Sequence, residues 1–294
     1  MRIALFKNST ARSSKRFARS LGGNLLMNLV VALAGFVLAL PLVYALIAAF
    51  KPMEEIFVFP PRFFVQNPTF DNFIDLMAMC SNLWVPFSKY LFNSVSVTVV
   101  TTIANVIVCS GCAYPLALNK FPGKNIIFQG IVISLMFVAQ VTFLPQYFIV
   151  AKMGLVDTWF ALVLPSVATP LGVFLMKQFM EQTPISILEA ARIDGCNEIQ
   201  IFFKIIMPNV KPAWLTLAIF SFQSIWNTPG QGLIFSENLR TLPAVMTQIT
   251  SGGGIARVGV SAAATIFLML PPIILFVIIQ GKVVETMAFA AIKE

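Results

Sequence analysis

Residues 90–119 read YLFNSVSVTVVTTIANVIVCSGCAYPLALN, a run of 30 residues with no Asp, Glu, Lys or Arg. A helix crossing the hydrocarbon core of a bilayer needs about 20 largely apolar residues. This stretch meets that length. Working outward, five more charge-free runs follow the same rule: 20–50, 125–151, 158–176, 212–236 and 258–281, with lengths of 31, 27, 19, 25 and 24. Six runs predict six transmembrane helices, at about 25–50, 91–119, 125–151, 158–177, 211–229 and 260–281. The weakest is 158–176, which holds Pro165 and Pro170. The first run exceeds a signal-peptide core and reads as a retained span.

Composition agrees. Charged residues make up 11% of the 294 and hydrophobic ones 58%, whereas an ordinary soluble domain has about 25% charged residues. The expected fold class is an all-α membrane protein: a basic cytoplasmic tail, 1–23, followed by a transmembrane domain, 24–294.

Orientation follows from Lys and Arg. With the N-terminus inside, the inner segments hold Arg2, Lys7, Arg12, Lys15, Arg16, Arg19, Lys120, Lys124, Lys177, Arg192, Lys204, Lys211, Lys282 and Lys293, which is 14. The outer segments hold 6: Lys51, Arg62, Lys89, Lys152, Arg240 and Arg257. Both termini are therefore expected in the cytoplasm. The tail 1–19 lacks acids and reads as a topology signal resting on anionic lipid headgroups, not as a nucleic-acid arm.

Cys109 and Cys112 have the spacing of a redox pair. They lie in an apolar run, where a thiolate is poorly solvated, and read as small packing residues. Histidine is absent, which removes His metal ligands, His-based nucleophile pairs and His proton relays. No catalytic or metal set is expected.

The outer segment 51–89, with KPMEEIFVFPPRFF and PTFDNF, suits a folded cap at the membrane surface. A second outer segment, 228–257, holds Pro229, Gly230, Gly232, TLPAVMTQI and Gly252–Gly254. Pro115, Pro145, Pro165, Pro170, Pro271 and Pro272 fall inside the spans, where each removes a backbone hydrogen bond and bends or breaks a helix. Neighbouring groups must then re-satisfy the backbone.

The large inner loop, about 178–210, includes EAARIDGCNEIQIFFKIIMP at 189–208. Thr183-Pro184 offers one helix start, and Ser186-x-x-Glu189 offers another as a capping box. Gly195 is the natural stop. A second short helix is expected over about 197–206, ended by Pro208, with Ile199, Phe202, Phe203 and Ile206 as its apolar stripe. Ala190 and Ala191 give the first helix a small face, ringed by Glu189, Arg192 and Asp194. Two short helices turned at a glycine suit a partner's cleft; an amphipathic loop lying on the membrane has the same composition.

Glu189-Ala190-Ala191, Gly195, Ile205 and Met207-Pro208 resemble the EAA loop of ABC-transporter permease subunits, EAA-x3-G-x9-I-x-LP. Met207 replaces the pattern's Leu. FLMKQFMEQTPISILEAARIDG, KPAWLTLAIFSFQSIWN, KPMEEIF, PTFDNF and LIFSENLRTLP are similar to binding-protein-dependent sugar permeases of the maltose type, specifically the second permease. The ending GGGIARVGVSAAA and KVVETMAFAAIKE resembles the branch handling oligosaccharides and polysaccharide fragments. The resemblance covers nearly the whole chain beyond residue 25.

This resemblance implies an importer in a bacterial cytoplasmic membrane. The chain would pair with a homologous permease, two ATPase subunits holding ATP and Mg, and an extracytoplasmic solute-binding protein. The loop Glu189, Ala190, Ala191, Arg192, Asp194, Gly195, with Ile205 and Pro208, would couple to the ATPase. In some relatives the C-terminal tail, here Lys293 and Glu294, also reaches the ATPase dimer. No P-loop is present: Gly123-Lys124 and Gly281-Lys282 are followed by Asn125 and Val283, not by Ser or Thr. The chain is not expected to be an enzyme or to bind a cofactor itself.

Sugars are held by neutral hydrogen bonds and aromatic faces. Gln140 and Tyr147 share a face of span three; Phe220, Gln223 and Asn227 share one of span five, with Trp226 nearby. These are the substrate-path candidates, with interhelical hydrogen bonding as the alternative role. The rival function is a secondary, ion-coupled transporter. Such carriers place ionisable residues within their spans, and the six runs have none.

Overall fold

The computed structural model describes residues 21–292 except 61, 82–83, 231 and 252–256. Side chains of 21, 22, 24 and 282–292 also lie outside the described set. The basic residues of the tail, the Gly252–Gly254 run, Lys293 and Glu294 thus fall outside it. The chain forms two compact units, residues 1–45 and 46–294. In the first lies most of α1, Leu21–Ala49, with Pro41 inside it.

Among the described residues of the second unit, every regular element is a helix. Two short helices, α2 (Met53–Ile56) and α3 (Asp71–Ser81), precede α4 (Phe87–Leu118), which is 32 residues long. α5 (Lys124–Ser134) and α6 (Ala139–Lys152) follow, then α7 (Trp159–Val167) and α8 (Pro170–Met180). The inner loop contains α9 (Ile185–Ile193), α10 (Glu198–Ile201), a π turn at Phe202–Ile206, and α11 (Met207–Asn209). α12 (Lys211–Trp226), α13 (Leu242–Ser251) and α14 (Val258–Ile292) complete the chain.

Four helical stretches among the described residues are long and apolar enough to cross a membrane: Leu25–Ala49, Phe87–Leu118, Trp159–Met180 and Val258–Gly281. The number rises to six if each of two bent pairs counts as one span. One pair is α5 and α6, which meet at 112°. The expected continuous helix over 125–151 is therefore broken near 135–138. The other pair joins Glu198–Asn209 to α12 at 82°.

The prolines behave unevenly. Pro115, Pro145, Pro165, Pro271 and Pro272 all lie inside continuous helices. Of the six prolines named in the spans, only Pro170 opens a helix. Thr169 caps α8 by accepting from the Gly172 N–H at 3.3 Å. Pro170 has no N–H to give the Ser166 carbonyl four residues back. Asn105 of α4 supplies the missing donor: its Nδ2 donates to Ser166 O at 2.9 Å, Val167 O at 3.2 Å and Thr169 Oγ1 at 3.3 Å. The Ser221 hydroxyl of α12 then donates to Asn105 Oδ1 at 2.6 Å. One asparagine thus joins α4, the α7–α8 break and α12.

Two cores sit at opposite ends of α4. Cys109, Ala113, Tyr114 and Leu116 near its C-terminus pack with α8, α9 and α12. Tyr90 at its N-terminus packs with α3, Trp226, α13 and α14.

Candidate functional site

The site is built on the loop between α8 and α12. Its first helix, α9, opens at Ile185 with Pro184 in the N-cap position and no side-chain cap bond. Of the two starts the sequence offers, the Thr183-Pro184 one is found, moved by one position. Ser186 lies within the helix, so its capping box does not form. The exit is a full Schellman motif. Gly195 has φ +81; its N–H donates to Arg192 O at 3.1 Å, and the Cys196 N–H donates to Ala191 O at 3.0 Å.

α10 begins with a capping box that the apolar-stripe reading missed. Asn197 Oδ1 accepts from the Gln200 N–H at 2.8 Å, and Gln200 Oε1 accepts from the Asn197 N–H at 3.1 Å. Asn-x-x-Gln carried that signal in the sequence.

Pro208 does not end this helix, contrary to expectation. The chain widens to the π turn, in which the Met207 N–H reaches Phe202 O. Widening displaces the carbonyl that a proline ring would strike, and the helix continues to Asn209 before turning. The Trp214 indole donates to Met207 O at the bend, at 3.0 Å. The π turn also rotates the stripe. Ile201, Phe202 and Ile206 are buried, while Ile199 and Phe203 face outward.

Leu188, Ala191, Ile201 and Ile206 root the loop in the core shared with α4, α8 and α12. Ala190 and Ala191 form no common small face: Ala191 is buried and Ala190 exposed. Glu189, Arg192, Asp194 and Gly195 are exposed with Ala190. Ile205 packs half-buried against the core, and Pro208 is exposed. The outward surface is therefore one face of α9 and its glycine exit.

A polar network fixes the angle between the loop helices. Arg192 Nε donates to Glu198 Oε1 at 3.0 Å. The Tyr114 hydroxyl of α4 donates to the other carboxylate oxygen. The Tyr114 hydrogen bond, then Arg192, hold the Glu198 carboxyl below its ordinary range, and Glu198 in turn raises the Arg192 guanidinium. Neither Tyr114 nor Glu198 is marked by spacing in the sequence, because they stand 84 residues apart.

The substrate-path candidates are divided. Gln140, on α6, is exposed; Tyr147, on the same helix, is half-buried and meets the Phe148 ring edge-on at 6.1 Å. Phe220, Gln223 and Asn227 are exposed at spacings that share one face of α12. Trp226 departs from the expectation. It is buried, stacks on Phe222 at 5.9 Å and donates to Leu268 O at 2.8 Å. Its indole is committed to packing α12 on α14.

At the other end of α4, loops are tied by polar side chains. Asp157, at φ +61, accepts from the Phe235 N–H at 2.9 Å and the Ser236 N–H at 2.8 Å, and from the Ser236 hydroxyl. These bonds, the hydroxyl's foremost, hold its carboxyl below the usual range. Asn93 of α4 donates to Asn238 O at 2.8 Å and Arg240 O at 3.0 Å. Segments expected outside thus meet one another, and the inner loop meets the opposite end of α4.

The family described as "Binding-protein-dependent transport system inner membrane component" matches residues 9–288. The chain belongs to that family. Among its relatives is the arabinooligosaccharides transport system permease protein AraQ of Halalkalibacterium halodurans, 29% identical over 277 residues, covering 91% of this chain and 96% of that protein. The probable ABC transporter permease protein y4oR of Sinorhizobium fredii is 30% identical over 274 residues, covering 92% and 95%. The sn-glycerol-3-phosphate transport system permease protein UgpE of Pectobacterium atrosepticum is 29% identical over 244 residues, covering 82% and 87%. A bacterial ABC transporter involved in the import of the acidic polysaccharide alginate shares the fold, with a TM-score of 0.71 at 20% identity over 90% of this chain and 98% of that one. As an inner membrane component, the protein works within the bilayer, which accounts for its apolar helices.

Proposed function

We propose that this inner membrane component is the permease of an ATP-driven importer of sugars or oligosaccharides, of the maltose-type second-permease kind. Its six spans run with both termini in the cytoplasm of a bacterium. With a second, homologous permease it forms half of the translocation path. An extracytoplasmic binding protein delivers the sugar, and two ATPase subunits, which hold ATP and Mg, drive the cycle. The relatives named for arabinooligosaccharide and alginate transport support the saccharide class.

The observation that carries this reading is the form of α9. It is exposed along Glu189, Ala190, Arg192, Asp194 and Gly195, yet rooted by Leu188 and Ala191 in the same core as three spans. A partner that moves α9 therefore moves α4, α8 and α12 with it. Coupling then needs no long-range signal, only a rigid loop and a bistable bundle. Phe220 and Gln223 of α12 and Asn227 at its C-terminal cap, with Gln140 and Tyr147 of α6, are the residues proposed to face the path.

The test is a cysteine at Asp194, in the assembled transporter, crosslinked to the ATPase in membranes. A nucleotide-dependent crosslink supports the reading. Saccharide uptake that persists after deletion of the ATPase genes would identify an ion-coupled carrier instead.

A further inference from the structure

A cavity of about 360 Å³ lies in the segment between α12 and α13, away from the loop that α9 heads. Its size falls in the range of small-molecule sites. Two glycines border it, each packed closely against a neighbouring side chain. Gly230 has φ +64, and a Cβ there would lie 2.6 Å from Leu162 Cδ2. Gly232 has φ +81, and a Cβ there would lie 3.1 Å from Phe143 Cζ. Asp157 holds the rim by its bonds to Phe235 and Ser236.

The lining is chemically mixed. Arg240 lies in the wall, but Glu237 meets its charge at 2.8 Å. Arg240 also donates to Gln248 Oε1, which leaves the Gln248 amide –NH₂ to donate elsewhere. Thr241 stands in the wall, but its hydroxyl is buried beneath the surface and is not open to the cavity. Leu162, Ile234 and Phe235 supply apolar surface. Neutral donors and acceptors beside an apolar wall match the hydroxyls and C–H face of a sugar ring. A carboxylate would find the arginine already neutralised, and its desolvation would go uncompensated.

We propose that this cavity is an extracytoplasmic subsite for one neutral glycosyl unit of the transported saccharide, held by Gln248 against Phe235. The proposal rests on the saccharide-importer reading and on the outer placement of 228–257.

The test uses the complete transporter in right-side-out membrane vesicles. Ser251, which lines the cavity, is replaced by cysteine, and exposed Ser81 by cysteine as the control. A membrane-impermeant maleimide reports access, with short neutral arabino- and malto-oligosaccharides as probes and oligogalacturonate as the acidic comparison. The neutral probes, supplied at about ten times their dissociation constant, should slow labelling at Ser251→Cys about 10-fold through occupancy, and leave Ser81→Cys alone. Gln248→Ala in the Ser251→Cys background should remove most of that protection. Gln248 is exposed, so the Gln248→Ala variant should keep its fold. Protection by oligogalacturonate alone, equal slowing at both cysteines, or no slowing while wild-type vesicles import the neutral probes would overturn the subsite and leave the importer reading standing. Failure of the wild type to import any saccharide with its binding protein and ATP would overturn the importer reading and the subsite together.

Discussion

Tyr114, near the C-terminus of α4, donates its hydroxyl to the Glu198 carboxylate, 84 residues later in the chain. The same carboxylate accepts from Arg192, so one acid ties a span to both helices of the inner loop. Its folded-state pKa lies below the ordinary 4.5. The sign is therefore that of a depressed acid: the stabilisation is present above about pH 4.5 and is lost as pH falls through the lower folded value. Glu198→Gln should flatten that acid limb in thermal melts of the purified transporter. Tyr114→Phe should cost about 1 kcal/mol, since the carboxylate side chain is 52% exposed and well screened. Both variants should lower uptake more than membrane insertion. Uptake equal to wild type in both would show that the tie is dispensable for coupling.

Gly195 separates backbone strain from partner contact. At φ +81 a Cβ would meet nothing within 4 Å. Gly195→Ala should cost roughly 1–2 kcal/mol through the left-handed conformation alone and keep much of the uptake. Gly195→Trp has no neighbour in this chain to strike at its first carbon, so a larger loss of uptake at the stability of Gly195→Ala assigns the effect to a docked partner. The expected pattern is normal insertion for both variants, with ATP hydrolysis uncoupled from uptake only for Trp. Equal loss in the two would place the effect in the fold.

Much of this was legible in the sequence, and its failures have physical causes. Charge-free runs located the apolar helices because bilayer thickness sets a minimum length. Periodicity could not show that 125–151 folds as two helices at 112°, since no Gly or Pro stands at 135–138. Gly195 was readable because the left-handed exit leaves a local mark. Pro208 misled, because its local rule assumes an α-helical turn before it and the chain supplies a π turn. Trp226 misled for another reason: aromatic residues suit sugar faces and packing equally, and only the Leu268 carbonyl decides between them. Glu198 and Asn105 act through partners far along the chain, which no spacing rule reaches.

Asn105 should be the most sensitive polar residue of the bundle. It replaces the donor that Pro170 lacks and receives the Ser221 hydroxyl. Interhelical hydrogen bonds in membrane average about 0.6 kcal/mol each, and buried carbonyls left unmet add to the loss. Asn105→Ala should therefore cost about 2 kcal/mol, and Ser221→Ala clearly less. Unfolding in detergent at matched pH measures both. A Ser221→Ala variant as unstable as Asn105→Ala would shift the weight from the helix break to the α4–α12 contact.

Gly259 and Asn72 provide a test by double-mutant cycle. Asn72 Nδ2 donates to Ala49 O at 2.9 Å and Lys51 O at 2.8 Å, capping the end of α1 from α3. A Cβ at Gly259, in the first turn of α14, would lie 2.2 Å from Asn72 Oδ1 and 2.7 Å from its Cγ. Gly259→Ala must push Asn72 aside, and with it both hydrogen bonds. Asn72→Ala removes the bonds and the obstruction together. The two changes act on one contact, so their costs should not add; neighbours of this kind couple by about 0.5–3 kcal/mol. The double variant is expected to melt close to Asn72→Ala alone. Full additivity would mean that Gly259 is held by something other than the α3 asparagine.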